Sequence, residues 1–147
     1  LIYSPLMKYR HKVLGLLFLL SMITYIDRVC IGFAGPRMQK DLGLTPEQYG
    51  LVLSAFALAY MIFEIPSGAW GDKAGPRKLL TRIVVWWSVF TSLTGAAKNY
   101  MWLLITRFLF GAGEAGAYPN ASGAISRWFP AAERGRAQGI GWVVSRV

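Results

Sequence analysis

The stretch Gly68-Ala69-Trp70-Gly71-Asp72-Lys73-Ala74-Gly75-Pro76-Arg77-Lys78 decides how the rest of the chain reads. It joins two long apolar runs, residues 49–70, interrupted only by Glu64, and residues 77–97, which carry basic residues at their start. Crossing a hydrocarbon core takes about 20 helical residues, because each adds roughly 1.5 Å and the core is about 30 Å thick. Both runs reach that length. The glycines permit a tight turn between them, and Asp72 can accept from exposed backbone amides and pair with nearby cations. The expectation is a pair of membrane helices joined by a short basic connection.

Working outward, the same pattern recurs. Residues 13–36 are apolar except for Asp27 and Arg28, residues 100–126 contain Arg107 and Glu114, and a further apolar segment starts at about residue 137. No run is free of charge over 18 residues, so the reading rests on recurrence with short polar connections. The expected fold class is an all-α membrane protein with a cytoplasmic segment 1–12, spans at about 13–36, 49–70, 77–97 and 100–126, and the start of a fifth. A chain that starts at Leu1 without Met and stops at Val147 inside an apolar stretch is expected to be the N-terminal part of something longer.

Composition agrees. With 54% hydrophobic and only 16% charged residues, the chain is too apolar for a water-soluble protein of this size. A secretory signal over Lys8, Arg10, Lys12 and the following run is disfavoured, because Asp27-Arg28 interrupts it, no small-residue cleavage site precedes them, and three more spans follow. One Cys excludes an internal disulfide and one His excludes a His cluster, so neither metal nor cofactor is expected. There is no paired His, nucleophile motif or metal ligand set to suggest an enzyme.

A net charge of +9 would suggest nucleic acid in a soluble protein, so placement has to decide. Lys8, Arg10, Lys12, Lys73, Arg77, Lys78, Arg82, Arg127, Arg134 and Arg136 fall on one side of the spans, whereas Arg37, Lys40 and Lys98 fall on the other. Arg28, Arg107 and Arg146 lie within spans. The positive-inside rule makes the first set and the N-terminus cytoplasmic, with connections 37–48 and 98–99 outside. The basic residues thus mark topology in a lipid bilayer, and no nucleic-acid partner is expected. Trp102 and Trp128 sit near opposite ends of the fourth span, where interfacial aromatics are found, although ordinary packing accounts for them equally well.

The charges inside the spans carry the functional argument. A charge near a helix centre costs roughly 2.5–3.5 kcal/mol, whereas each Leu, Ile or Phe returns only about 0.3–0.6. Residues 100–126 hold seven Leu, Ile and Phe against Arg107 and Glu114, so those charges need partners, water or a function. Arg28 lies about 12 Å from the outer end of its span and Arg107 about 10.5 Å from the outer end of its own. Two guanidiniums at matching depth repel unless something anionic lies between them, and arginine's planar fork binds carboxylate or phosphate in bidentate fashion. That points to an anionic substrate; the alternative is pairing with resident carboxylates, Arg28 with Asp27 or Arg107 with Glu114.

Glu114 follows Arg107 by seven residues, almost two helical turns, so both point the same way about 10.5 Å apart. Such spacing suits a cavity with an anion site toward the outside and a titratable acid deeper in, able to couple proton movement to substrate. Asp27 is a second proton-coupling candidate, and for either acid a permanent counter-ion is the alternative. Tyr25 and Tyr60 lie in the same depth zone and could donate to a polyhydroxylated ligand, although buried Tyr is common. Glu64, near an inner end, suits snorkelling or a salt bridge. Cys30, Gly32, Ala34 and Gly35, like Gly111, Gly113 and Gly116, suit close helix packing.

Residues 68–78 resemble the major facilitator superfamily signature between its second and third helices, Gly-x-x-x-Asp-Arg/Lys-x-Gly-Arg/Lys-Arg/Lys, with Gly68, Asp72, Lys73, Gly75 and Arg77 in register, Pro76 replacing the first basic residue after Gly75, and Lys78 following as a further basic residue. Tyr25-Ile26-Asp27-Arg28, Arg107-Phe108-Leu109-Phe110-Gly111-Ala112-Gly113-Glu114-Ala115-Gly116, and Trp128-Phe129-Pro130 with Glu133-Arg134-Gly135-Arg136-Ala137 are similar to the anion:cation symporter family. That family includes bacterial hexuronate, galactonate and glucarate transporters. The resemblance implies proton-coupled symport of organic anions, sugar acids first among them, across a bacterial inner membrane. It assigns Arg28 and Arg107 to the substrate carboxylate or its gate, Tyr25 and Tyr60 to the site lining, Asp27 and Glu114 to protons, and the 68–78 connection to the conformational switch. It also implies two six-helix halves with the substrate between them, so the C-terminal half is a required partner. Sodium coupling, phosphate or other carboxylates as substrate, and a non-transporting sensor or scaffold are the alternatives.

Overall fold

The computed structural model describes the backbone of residues 5–143 and the side chains of residues 9–143. Arg146 and the side chain of Lys8, both counted in the charge argument, lie outside them. Six helices follow in order: α1 Pro5–Leu42, α2 Pro46–Ala74, α3 Pro76–Gly95, α4 Tyr100–Glu114, α5 Ala117–Trp128 and α6 Ala131–Val143. No strand occurs among the described residues. The chain divides into two compact units, Leu1–Phe33 with Ser122–Val147, and Ala34–Ala121.

Several helix ends differ from those expected of the spans, each for a local reason. Pro36 lies inside α1, which continues to Leu42 and stops where Gly43 takes φ 62°. The Leu44 amide then donates to the Gln39 carbonyl at 2.9 Å, satisfying one of the carbonyls a helix end leaves open. The run expected as a single span over 100–126 is two helices, broken after Glu114. Pro119 has no amide to offer the Ala115 carbonyl, and a proline ring crowds the carbonyl four residues before it, so the ladder lapses at Ala115 and Gly116. The helix expected from about residue 137 starts at Ala131. By length and composition alone, two helices among the described residues suffice to cross a membrane, over Tyr9–Leu42 and Pro46–Ala74.

The second unit is built on α2, α3 and α4. A capping box starts α2: Thr45 Oγ1 accepts from the Gln48 amide at 3.2 Å, and the Thr45 amide donates to Gln48 Oε1 at 3.0 Å, with Pro46 at the first helical position. Asn99 starts α4 by accepting from the Trp102 amide at 2.8 Å. α4 packs on both α2 and α3. It runs parallel to α2, since Val52 meets Leu103 near one end while Ser67 and Gly71 meet Asn120 just beyond the other. It runs antiparallel to α3: Trp102 Nε1 donates to Leu93 O at 3.0 Å, and Leu79 and Ile83 cluster with Ala117. At mid-helix Trp86 Nε1 donates to Leu109 O at 2.9 Å, its ring filling the space that a side chain at Gly113 would need.

The first unit joins the start of α1 to the end of α5 and to α6. Arg10 pairs with Glu133 at 3.0 Å and lies 5.5 Å from the Phe129 ring centroid. Arg134 donates from Nη2 to Ser126 O at 2.7 Å and from Nε to Phe129 O at 2.9 Å, closing carbonyls that the end of α5 leaves open and setting a cation against the helix's negative end.

Candidate functional site

Arg107 is an arginine held inside the second unit, only 5% exposed, at the middle of α4. Its guanidinium carbon lies 4.7 Å from the Phe110 ring centroid and 5.2 Å from that of Phe56 on α2. The two ring centroids are 5.7 Å apart, so the guanidinium sits in a corner of two rings rather than sandwiched between them. Aromatic faces attract a cation through their quadrupole, and arginine stacks on them while its N–H donors stay in the guanidinium plane. On the same helix as Phe56, the Tyr49 hydroxyl occupies the space a side chain at Gly35 would need.

The rings extend the contact to Tyr60. Its ring lies 6.0 Å from that of Phe56, one helical turn away on α2, and Phe110 and Trp87 meet edge to face with centroids 6.4 Å apart. Tyr60 and Arg107, two of the candidate substrate residues, thus share Phe56 as a neighbour. Backbone approach makes this possible: a methyl group at Gly111 would come within 2.5 Å of the Phe56 carbonyl oxygen, so only glycine lets α2 and α4 close at this level. Glu114, fully buried at 0% exposure, ends α4 immediately before the break. Seven helical residues separate it from Arg107, a rise of about 10.5 Å.

Tyr25, Asp27 and Arg28 lie on α1 in the first unit, Tyr25 and Asp27 half-buried and Arg28 exposed. Tyr60, Arg107 and Glu114 belong to the second unit. Glu64 is half-buried, Cys30 is exposed, and Gly32 has open space around it. Among the described residues no three His, Cys, Asp or Glu gather as metal ligands would.

The 68–78 connection is a correction to the turn expected there. Gly68, Asp72 and Lys73 are helical, because α2 runs to Ala74, and the change of direction falls on Gly75 alone, at φ 88°. The Gly75 amide closes α2 on the Gly71 carbonyl at 2.9 Å, and Pro76, with φ already set, opens α3. Gly68 and Gly71 serve packing instead: a methyl at Gly68 would meet Pro119 at 3.2 Å, and one at Gly71 would overlap the Asn120 side chain. Asp72, Lys73, Arg77 and Lys78 are exposed, and Arg82 lies 4.5 Å from the Trp70 centroid and 5.7 Å from that of Trp86.

Asn120 is a structural residue that the sequence reading passed over. It is 3% exposed and donates from Nδ2 to Gly116 O at 2.7 Å and to Ser67 O at 3.3 Å, tying the start of α5 to α2. Phe56 was equally unmarked. One signal was available for each: Asn120 is a polar residue one turn after Gly116, and Phe56 precedes Tyr60 by one turn.

Residues 17–143 match the Major Facilitator Superfamily. The chain belongs to that superfamily. As a member of the superfamily it is an integral, multi-pass, all-α membrane protein. It is 47% identical over 133 residues to the probable sulfoacetate transporter SauU of Cupriavidus necator, covering 90% of this chain and 31% of that protein. It is 36% identical to a quinolone resistance transporter of Acinetobacter baumannii, over 88% of this chain and 30% of that one. It is 37% identical to the probable galactarate/D-glucarate transporter GudP of Escherichia coli K12, over 89% of this chain and 30% of that one. Among solved structures, the inward-facing, unoccupied bacterial homolog of the human lysosomal transporter Spinster superposes with a TM-score of 0.89 at 31% identity, covering 97% of this chain and 29% of that chain. The chain therefore spans about three-tenths of the length of its relatives.

Proposed function

We propose that this chain is part of a proton-coupled symporter for organic anions, in a bacterial inner membrane with its N-terminus in the cytoplasm. The observation that carries the proposal is a buried arginine, Arg107, held on the rings of Phe56 and Phe110, on the same helix as the buried acid Glu114. A buried charge is costly enough in a membrane that it marks a substrate or ion pathway by default. Similarity to the sulfoacetate and galactarate/D-glucarate transporters supports an anion as the cargo. Sulfoacetate and galactarate each carry two anionic groups, which suits two guanidiniums.

In this reading Arg28 and Arg107 engage the anion, Tyr25 and Tyr60 line its site, and Asp27 and Glu114 take up protons as it binds and release them with it. The junction carrying Gly68, Asp72, Lys73, Gly75, Arg77 and Lys78 moves as the site changes sides. Residues from the second half, which the relatives' greater length accommodates, complete the site. The orientation rests on the basic residues lying mostly on one side of the spans.

Uptake of labelled sulfoacetate, galactarate and galactonate by cells expressing the full-length gene, with and without a protonophore, tests the proposal. Accumulation that collapses with the protonophore, and that Arg107→Ala abolishes at normal membrane expression, is expected. Normal uptake by Arg107→Ala refutes the anion-site assignment, and accumulation that follows a sodium gradient instead refutes proton coupling. The quinolone resistance relative motivates one second reading, export of a drug. Raised quinolone tolerance in expressing cells, without uptake of any of the three acids, would establish that reading instead.

A further inference from the structure

Phe56 meets four residues at once. Its ring lies 5.2 Å from the Arg107 guanidinium carbon, 5.7 Å from the Phe110 ring and 6.0 Å from the Tyr60 ring, while its carbonyl oxygen abuts Gly111. Backbone and side chain are therefore both held: the glycine sets how near α2 comes to α4, and that separation sets where the ring stands.

We propose that Phe56, with Phe110 beside it, is a positioning residue that seats the Arg107 guanidinium for anion binding and keeps Tyr60 in register with it. The inference rests on the anion-transport reading above. Arginine is long and has several rotatable bonds, so in an open cavity its fork would sample many orientations. A corner of two rings removes that freedom at little cost to the charge, because the ring faces attract the cation electrostatically and take up none of its hydrogen-bond donors. A carboxylate or sulfonate then meets a guanidinium whose plane the two rings have already set. Pre-ordering of this kind lowers the entropy lost when the ligand binds and so acts on affinity rather than on the later steps of transport. A simple packing role for Phe56 would instead tolerate any apolar side chain of similar size.

The test uses the full-length transporter with Phe56→Leu, which keeps an apolar side chain but loses the ring, and Phe56→Tyr, which keeps the ring. A cation–π contact of this kind corresponds to a rise in KM for anion uptake of about 2- to 30-fold in Phe56→Leu, with maximal rate and membrane expression unchanged. Phe56→Tyr is expected to restore KM to near the original value. Unchanged KM in Phe56→Leu, or equal damage in both variants, overturns the proposal.

A second measurement keeps its failure separate from failure of the transport reading. Thermal stability of the purified full-length protein is compared for Phe56→Leu, Arg107→Met and the double variant. Non-additive effects support the contact even if the unaltered protein takes up no anion. Additive effects overturn the positioning role whether or not uptake is seen, because two groups that do not act on each other add.

Discussion

Replacing Gly71 with alanine tests whether α2 and the start of α5 are fitted to each other through Asn120. Two opposing terms set the magnitude. Alanine is favoured over glycine inside a helix by roughly 0.5–1 kcal/mol. Against that, the new methyl falls on the side chain of Asn120, which is 3% exposed and tied by its own hydrogen bonds to Gly116 O at 2.7 Å and Ser67 O at 3.3 Å. Forcing extra volume into a filled site costs about 1–3 kcal/mol, so the net effect runs from near zero to a loss of about 2.5 kcal/mol.

The ambiguity in that net value disappears when Asn120 is also changed. Asn120→Ala alone is expected to cost about 0.6 kcal/mol and at most about 1.7, the range measured for polar contacts between membrane helices. With that side chain gone the Gly71→Ala methyl has room, and only the helix-propensity gain of roughly 0.5–1 kcal/mol is left. The substitution should therefore change from harmful or neutral to stabilising, a coupling of about 1–3 kcal/mol. Reversible unfolding of the four full-length proteins in mixed detergent micelles measures it. Effects that add to within about 0.5 kcal/mol would refute the reasoning, because they would mean that the two positions are not in contact.

Three further outcomes follow from the same contacts. Glu114→Gln should abolish proton-driven accumulation while leaving exchange of substrate across the membrane, and loss of neither activity would count against a coupling role. Glu133→Gln removes the 3.0 Å pair with Arg10, and because Glu133 is half-exposed the stability loss should be no more than about 1 kcal/mol and should shrink in high salt, as salt-dependent unfolding would register. Glu47, outside the expected spans, has its pKa held below the ordinary Glu value, first by a hydrogen bond from the Thr45 side chain and second by one donated by its own backbone amide. A lowered folded pKa means a stabilising contribution present above the unfolded value and lost as pH falls through the folded one. Thr45→Ala should flatten that acid-side dependence, read as stability against pH between about 3 and 6, a window that brackets the ordinary Glu value.

The membrane fold was legible because its causes are local. Apolar runs of sufficient length and the basic residues clustered between them are read from neighbouring residues alone. The break after Glu114 has a local cause as well, Pro119, yet the apolar residues continue past it and their pattern hides the interruption. Gly68 and Gly71 were harder. In a sequence a glycine beside a charged connection reads as a turn, and only the presence of Pro119 and Asn120 opposite reveals it as a packing position.

From the sequence alone come the all-α membrane class, the superfamily signature and the candidacy of Arg28, Arg107, Asp27 and Glu114, since an ionisable residue in an apolar run is costly wherever the helix lies. The tertiary structure alone decides what surrounds Arg107. Phe56 is 51 residues away in the chain, and its ring reaches the guanidinium because Gly111 lets two helices approach until backbone meets backbone. Such a contact depends on the register and separation of α2 and α4 together, and no periodicity within either helix encodes that distance.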